Sequence, residues 1–206
     1  MMDLSSRAYQ FFFPSVTFST SNDAVHLTFD DGPNAKVTPE VLNILNKSRV
    51  KATFFLLGRN ARQSPALVRE ILAEGHALGN HSYSHTNLLL RRKRNIRQEI
   101  TMTNDVIGDI AGVAPKMFRP PFGIFDLRTL NIVDSFAMRL IHWSNDLRDF
   151  EIGTTEKSIA NLIRRINKGS IVLMHDNDAT SAKVDTILPM TITMLQDLGL
   201  AFSSLE

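Results

Sequence analysis

Short runs of β-branched and aromatic residues alternate with amphipathic helical patterns along nearly the whole chain, and that alternation limits its fold more than any other feature. Strands are expected over Val25–Phe29, Val50–Leu57, Ala77–Gly79, Lys116–Phe118, Arg139–Trp143, Ser170–Met174 and Leu200–Ser203. Helices are expected over Thr38–Lys47, Ser64–Glu74, Arg94–Ala111, Asp126–Phe136, Thr155–Asn167 and Val184–Leu198. Thr38 reads as an N-cap with Pro39 at the first helical position; Ser64 before Pro65 repeats the pattern, and Gly75 and Gly169 read as stops. Strands separated by helices of this length pair in parallel through right-handed crossovers. Seven strands, against the eight of a closed barrel, predict an α/β fold: a distorted, incompletely closed (β/α)7 barrel. Residues 1–22 read as an N-terminal extension packing on the barrel, and residues 23–206 as one domain.

Composition narrows the function classes. With 206 residues, 43% of them hydrophobic, the chain can bury a core, so disorder is excluded. No apolar run reaches the roughly 18 residues of a membrane span. Met1 to Thr20 lacks a long apolar stretch with a small-residue cleavage site and makes a poor signal peptide. Either the protein is cytoplasmic or its export segment has been removed. There is no cysteine, so any metal must be held by His, Asp or Glu. The formal charge is only +2, although Arg91, Arg92, Lys93, Arg94 and Arg97 crowd one helix start. The cluster has two readings, a patch for an anionic polymer such as wall glycan, lipid headgroups or nucleic acid, and a solvated helix face. Without interleaved aromatics the second is favoured, and nucleic acid is not an expected partner.

Ionisable residues recur just after the predicted strands. Asp30 and Asp31 follow the first, in Thr28-Phe29-Asp30-Asp31-Gly32-Pro33, and His81 and His85 follow the third. Arg119 follows the fourth, Asp149 the fifth and His175 the sixth. In a parallel barrel all strand C-termini lie on one face, so these residues converge. Two imidazoles four residues apart on one side of a turn, with a carboxylate, form the ligand set of a catalytic zinc-type site. The second carboxylate is then left as a base. Arg119, on a loop stiffened by Pro120 and Pro121, suits holding a carboxylate ionised, and the N–H of Phe122 is a candidate oxyanion donor. His175 is suited to protonating a leaving amine, with Asp149 or Asp176 to hold it. His26, His76 and His142 read as structural.

These five stretches, in order, resemble the polysaccharide deacetylase family, the NodB-homology group of carbohydrate esterases (family 4). The resemblance runs from about His26 to the C-terminus. It implies metal ligation by Asp31, His81 and His85, with zinc the first choice and cobalt, nickel or manganese as substitutes. It implies Asp30 as general base tuned by Arg119, His175 as acid tuned by Asp149, and Leu173 and Phe150 lining an acetyl-methyl pocket beside Phe122. The activity implied is removal of N-acetyl groups from a peptidoglycan, chitin-type or exopolysaccharide glycan, releasing acetate. Such a substrate favours the cell envelope or a secreted location. O-acetyl ester hydrolysis, hydrolysis of a small non-glycan amide, and silent glycan binding are the rivals. One departure stands out: Phe150 occupies a position where the family often has Trp, which removes an indole N–H donor and bears on substrate identity.

Overall fold

The computed structural model describes residues 13–151 and 155–206. The strands are β1 (Val16–Thr17), β2 (Ala24–Asp30), β3 (Thr53–Leu56), β4 (Ala77–Asn80), β5 (Met117–Phe118), β6 (Arg139–Ile141), β7 (Asn145–Asp146), β8 (Ile171–His175) and β9 (Ala201–Phe202). The helices are α1 (Val37–Ser48), α2 (Gly58–Gln63), α3 (Pro65–Ala73), α4 (Lys93–Ala111), α5 (Leu127–Ser135), α6 (Glu156–Ile163) and α7 (Val184–Asp197). Eight strands run parallel in the order β1-β6-β5-β4-β3-β2-β8-β7, and β9 pairs with the start of β2. The edges β1 and β7 do not pair with each other; a single antiparallel bridge, Ser19–Ser170, joins the two sides. The sheet is therefore a curled, open barrel of the NodB-homology type, as expected.

Period-2 alternation on the central strands decides what faces the barrel interior. Val25, Leu27 and Phe29 of β2, Phe54 and Leu56 of β3, and Val172 and Met174 of β8 point outward into the main core, against α1, α3, α6 and α7. The intervening residues point inward: His26, Thr28 and Asp30; Thr53 and Phe55; Ile171, Leu173 and His175. Continuous apolar burial on one face thus leaves the other free for polar residues that climb toward the strand ends. In register, Asp30 of β2 lies opposite His175 of β8. Two chemistry-bearing side chains become neighbours by strand pairing alone.

All seven expected strands are present, and the structure adds β1 and β7, each only two residues long. α2 was not expected either. Thr38 is not the N-cap of α1; it lies inside the helix, and its hydroxyl donates to the Asp176 carboxylate at 2.5 Å. The start of α1 is held by Asn34, whose side-chain oxygen accepts from the N–H groups of Lys36 and Val37. The helix expected over Thr155–Asn167 ends at Ile163, after a capping box between Thr155 and Ser158. Of the expected N-terminal extension, residues 1–12 lie outside the described residues; Val16 and Phe18 are buried in a second apolar cluster with Phe118 and Leu140. Among the described residues, no helix is long and apolar enough to cross a membrane.

Gly79 in β4 sits against the Phe55 ring, at a point a Cβ would occupy. Gly79→Ala should therefore destabilise the fold by about 1–3 kcal/mol, the usual cost of overpacking. Urea denaturation will measure this; an unchanged midpoint would mean that Phe55 has room to move.

Candidate metal centre and active-site cavity

At the mouth of the barrel, two adjacent carboxylates are turned toward different partners. Asp30 ends β2 and keeps the inward direction of Thr28, while Asp31 adopts a left-handed conformation at φ 78°. Gly32 is required beneath this turn, because a Cβ there would run into the buried Asp176 carboxylate. Asp30 Oδ1 accepts a hydrogen bond from Arg119 Nη1 at 2.7 Å. Arg119 is fully buried, donates also to Thr28 Oγ1 (2.8 Å) and the His142 carbonyl (2.9 Å), and lies 4.1 Å from the Phe55 ring centre. Burial pushes the Arg119 guanidinium below its ordinary pKa, and Asp30 beside it opposes that shift.

Asp31 faces the two imidazoles. Its Oδ1 lies 3.6 Å from His81 Nε2 and 3.2 Å from His85 Nε2. Burial pushes the Asp31 carboxyl up, but His81, His85, His175 and Asn177 together hold it below its ordinary value. Asn177 contributes a direct hydrogen bond to Oδ2 at 2.8 Å, and Asn60 holds the Asp31 carbonyl at 2.7 Å. The two imidazoles do not meet through a helical turn. They sit on a loop bent by left-handed residues at Ser82 (φ 67°) and His85 (φ 60°). Glu99 of α4 reaches back to pin that loop, accepting from the N–H groups of Tyr83 and Ser84 and from the Ser84 hydroxyl.

The donor set fits a divalent cation. Asp31 Oδ1 is buried without any hydrogen-bond donor, an arrangement that is costly unless something positive occupies the space before it. His81 Nδ1 is bonded to the Arg119 carbonyl at 2.8 Å, which leaves Nε2 with its lone pair directed at the same point. Burial lowers the pKa of His85, favouring the neutral ring that can ligate. The three donor atoms all lie within 4.8 Å of one another, close enough to be held by one ion.

Across the mouth, His175 Nδ1 is bonded to Asp149 Oδ1 at 2.9 Å, and the other Asp149 oxygen accepts the His175 backbone N–H. Burial works against the imidazolium, but the hydrogen bond and charge of Asp149 outweigh it and raise the pKa to about 9. Asp176, the competing partner in the sequence, instead holds Thr38 from within the fold. Burial raises its pKa to about 8.

A cavity of about 390 Å³ is lined by Asp30, Asp31, His81, His85, His175 and Leu173, with Phe122 and Phe150 also on its wall. Arg119 and Asp149 stand behind it. All ten residues singled out in the sequence are thus brought to one place. Asn177, Asp146, Trp143 and Glu99 were missed. Only Asn177 had a usable signal, two residues after His175. His26 and His76 are tied into the fold by hydrogen bonds to Ser203 and Ala52, and His142 stacks on Trp143.

Fold and site together define an open parallel barrel of NodB-homology type with an Asp/His/His cluster at its mouth. The chain belongs to the polysaccharide deacetylase family, whose model matches residues 18–141. It is 34% identical over 194 residues to a peptidoglycan-N-acetylglucosamine deacetylase of Listeria monocytogenes, covering 94% of this chain but only 40% of that relative. It is 36% identical over 157 residues to a chitooligosaccharide deacetylase of Azorhizobium caulinodans, covering 76% and 75% of the two chains. A crystal structure of a peptidoglycan N-acetylglucosamine deacetylase in complex with a naphthalenyl N-oxidanyl-benzamide superimposes with a TM-score of 0.89 at 34% identity, covering 96% of this chain and 94% of that one.

His81→Ala should abolish retention of zinc through gel filtration, read by elemental analysis. Glu99→Gln, which touches no ligand atom, should weaken zinc affinity about 10–100-fold, the usual cost of losing an outer-shell support. Chelator competition will measure it, and unchanged affinity would show that the loop holds itself.

Proposed function

We propose that this chain is a metal-dependent hydrolase that removes N-acetyl groups from N-acetylhexosamine units of a glycan, releasing acetate. The observation that carries this reading is the placement of the carboxylate pair. Asp31 Oδ1 lies 3.2 Å from His85 Nε2 and 3.6 Å from His81 Nε2. Asp30 Oδ1 accepts from Arg119 while its Oδ2 lies 3.7 Å from His81 Nε2, with His175 next to Asp30 on the paired strand. A divalent cation held by Asp31, His81 and His85 would supply Lewis acidity toward the acetamide carbonyl and acidify water. Asp30, oriented by its hydrogen bond from Arg119, takes the proton from the water that attacks. The Phe122 N–H donates to the developing oxyanion; the turn's own backbone bonds run from Gly123 to Pro120 and from Ile124 to Pro121, and leave it available. His175, oriented by Asp149, gives its proton to the departing sugar nitrogen. Leu173 and Phe150 bound the space for the acetyl methyl.

The shape of the surface favours a polymer over a small amide. A second cavity of about 500 Å³ adjoins the first and shares Asp31, His85, Asn177 and Ala179 with it. Together they make an open groove across the metal centre, lined outside it by Asn34, Arg59, Asn60 and Gln63, side chains suited to sugar hydroxyls. The relatives named above are peptidoglycan and chitooligosaccharide deacetylases, which supports taking those glycans as the first candidates. A silent binding module needs neither an oriented base nor an oriented acid, and the Arg119 bond to Asp30 and the Asp149 bond to His175 favour the catalytic reading over it.

Mass spectrometry of chitooligosaccharides and muropeptides incubated with the zinc-loaded protein tests the reading directly: loss of acetyl groups with appearance of titratable amine supports it, and acetate release without amine would mean ester hydrolysis. Asp30→Asn should retain metal but lose at least about a hundredfold in kcat; near-normal turnover would remove Asp30 from the mechanism. The His175 cation persists below its raised pKa and is lost as pH rises through it, so the rate should fall on the alkaline side. Asp149→Asn removes the interaction that raises that pKa. Its alkaline limb should therefore move at least about one pH unit lower, and an unmoved limb would assign that limb to another group.

A further inference from the structure

The surface formed by residues 86–97 takes no part in this chemistry, yet its composition is unusual. Leu88 is buried and anchors the turn before α4, while Leu89 is 43% and Leu90 79% exposed, the latter in a left-handed conformation at φ 60°. Arg91, Arg92, Lys93, Arg94 and Arg97 follow, all exposed, and no carboxylate occurs between Glu74 and Glu99. The side chains of Arg92, Lys93 and Arg94 make no hydrogen bond or ion pair with the described residues. α4 starts with Arg92 as N-cap, without a side-chain cap and without an acid in its first turn. The positive end of the helix dipole therefore meets three cations, which works against the helix they begin. A local choice that opposes its own element is expected where the surface serves a partner. Arg91 folds back onto the Asn87 carbonyl and the Thr86 hydroxyl, forming one wall of a cavity of about 280 Å³ with Ser84, Asn95 and Gln98.

We propose that this patch docks the protein on an anionic phospholipid bilayer, with Leu89 and Leu90 entering the interface and the cations lying against the headgroups. Charge complementarity requires an anionic partner, and the exposed leucine tip selects one with an apolar interior. A soluble polyanion would use the cations and leave the leucines in water. The patch begins directly after His85, on the rim that carries the cavity, so docking would bring the active-site groove to the membrane surface.

Flotation with vesicles tests this on the whole chain. At about 0.15 M salt, the protein should float with phosphatidylcholine vesicles containing phosphatidylglycerol and not with pure phosphatidylcholine. Each cation contributes about fivefold to partitioning at an anionic surface, so the triple variant Arg92→Glu/Lys93→Glu/Arg94→Glu should lose at least about a hundredfold. The same variant should melt at an equal or higher temperature, because acids suit the first turn of α4, which separates lost docking from lost folding. Leu89→Ser/Leu90→Ser should lose roughly tenfold with the cations intact. Failure to float with anionic vesicles, or an undiminished triple variant, overturns the proposal. A serine variant that floats normally, together with equally tight binding to soluble poly(glycerol phosphate), would replace the bilayer with a soluble polyanion.

Discussion

The burial of Arg119 is the constraint on which the rest of the site depends. A fully buried guanidinium is costly by itself and seldom adds net stability even when paired. Here its donors are used on Asp30, Thr28 and two backbone carbonyls, and its face on Phe55 and Trp143. What the arrangement achieves is a fixed positive charge under one carboxylate of an adjacent pair. Without it, two neighbouring aspartates at a half-dry cavity mouth would repel each other and one would take up a proton. With it, Asp30 Oδ1 is fixed by a charge-assisted hydrogen bond, and Asp31 is free to face the imidazoles. The Arg119 carbonyl also accepts from His81 Nδ1, so one residue orients both the base and a candidate ligand.

Half of the eight non-glycine residues with left-handed φ among the described residues lie where this geometry is needed. Asp31, Ser82, His85 and Phe122 all have left-handed φ without being glycine. Such residues persist only where surrounding bonds over-determine them, each at about 1–3 kcal/mol. The surrounding bonds are visible: Asn60 and Asn177 hold Asp31, Asn80 and Glu99 hold the histidine loop, and the turn after Arg119 closes on Pro120 and Pro121. The helices α2 and α4 thus stabilise the site through single polar side chains aimed inward from elements whose other residues are ordinary.

This explains what was legible in the sequence. The seven strands were readable because each carried a run of apolar residues next to a helix with caps or stops. The convergence of the ten candidate residues was readable because a parallel sheet must gather its strand ends. β1 and β7 were not, since two residues carry no periodicity. Thr38 misled because a threonine before a proline looks like a cap, while the N-cap is Lys36, two residues earlier, with Asn34 accepting from the N–H groups of Lys36 and Val37. Glu99 lies in the middle of a long helix and looks like any solvent-facing glutamate; only the path of the loop opposite gives it a role. The i, i+4 spacing of His81 and His85 pointed to the right pair through the wrong geometry, since a bent loop rather than a helical turn brings the rings together.

The charges at the mouth form one coupled system. Asp30, Asp31 and Asp146 line the mouth and Asp149 stands behind it, against Arg119 and His175, a surplus of carboxylates that favours entry of a dication. A cation held at the Asp31 corner would weaken the pull of Asp30 and Asp31 on the His175 proton, while the Asp149 hydrogen bond lies on the other ring nitrogen. The acid is thereby released from the carboxylates that face the substrate but kept by the one that does not. Two carboxylates on the same side would hold the proton too firmly for transfer to a leaving amine. The placement of Asp149 behind the imidazole, with Asp30 beside it and Asp31 beyond, lets one ring remain charged at neutral pH and still give up its proton.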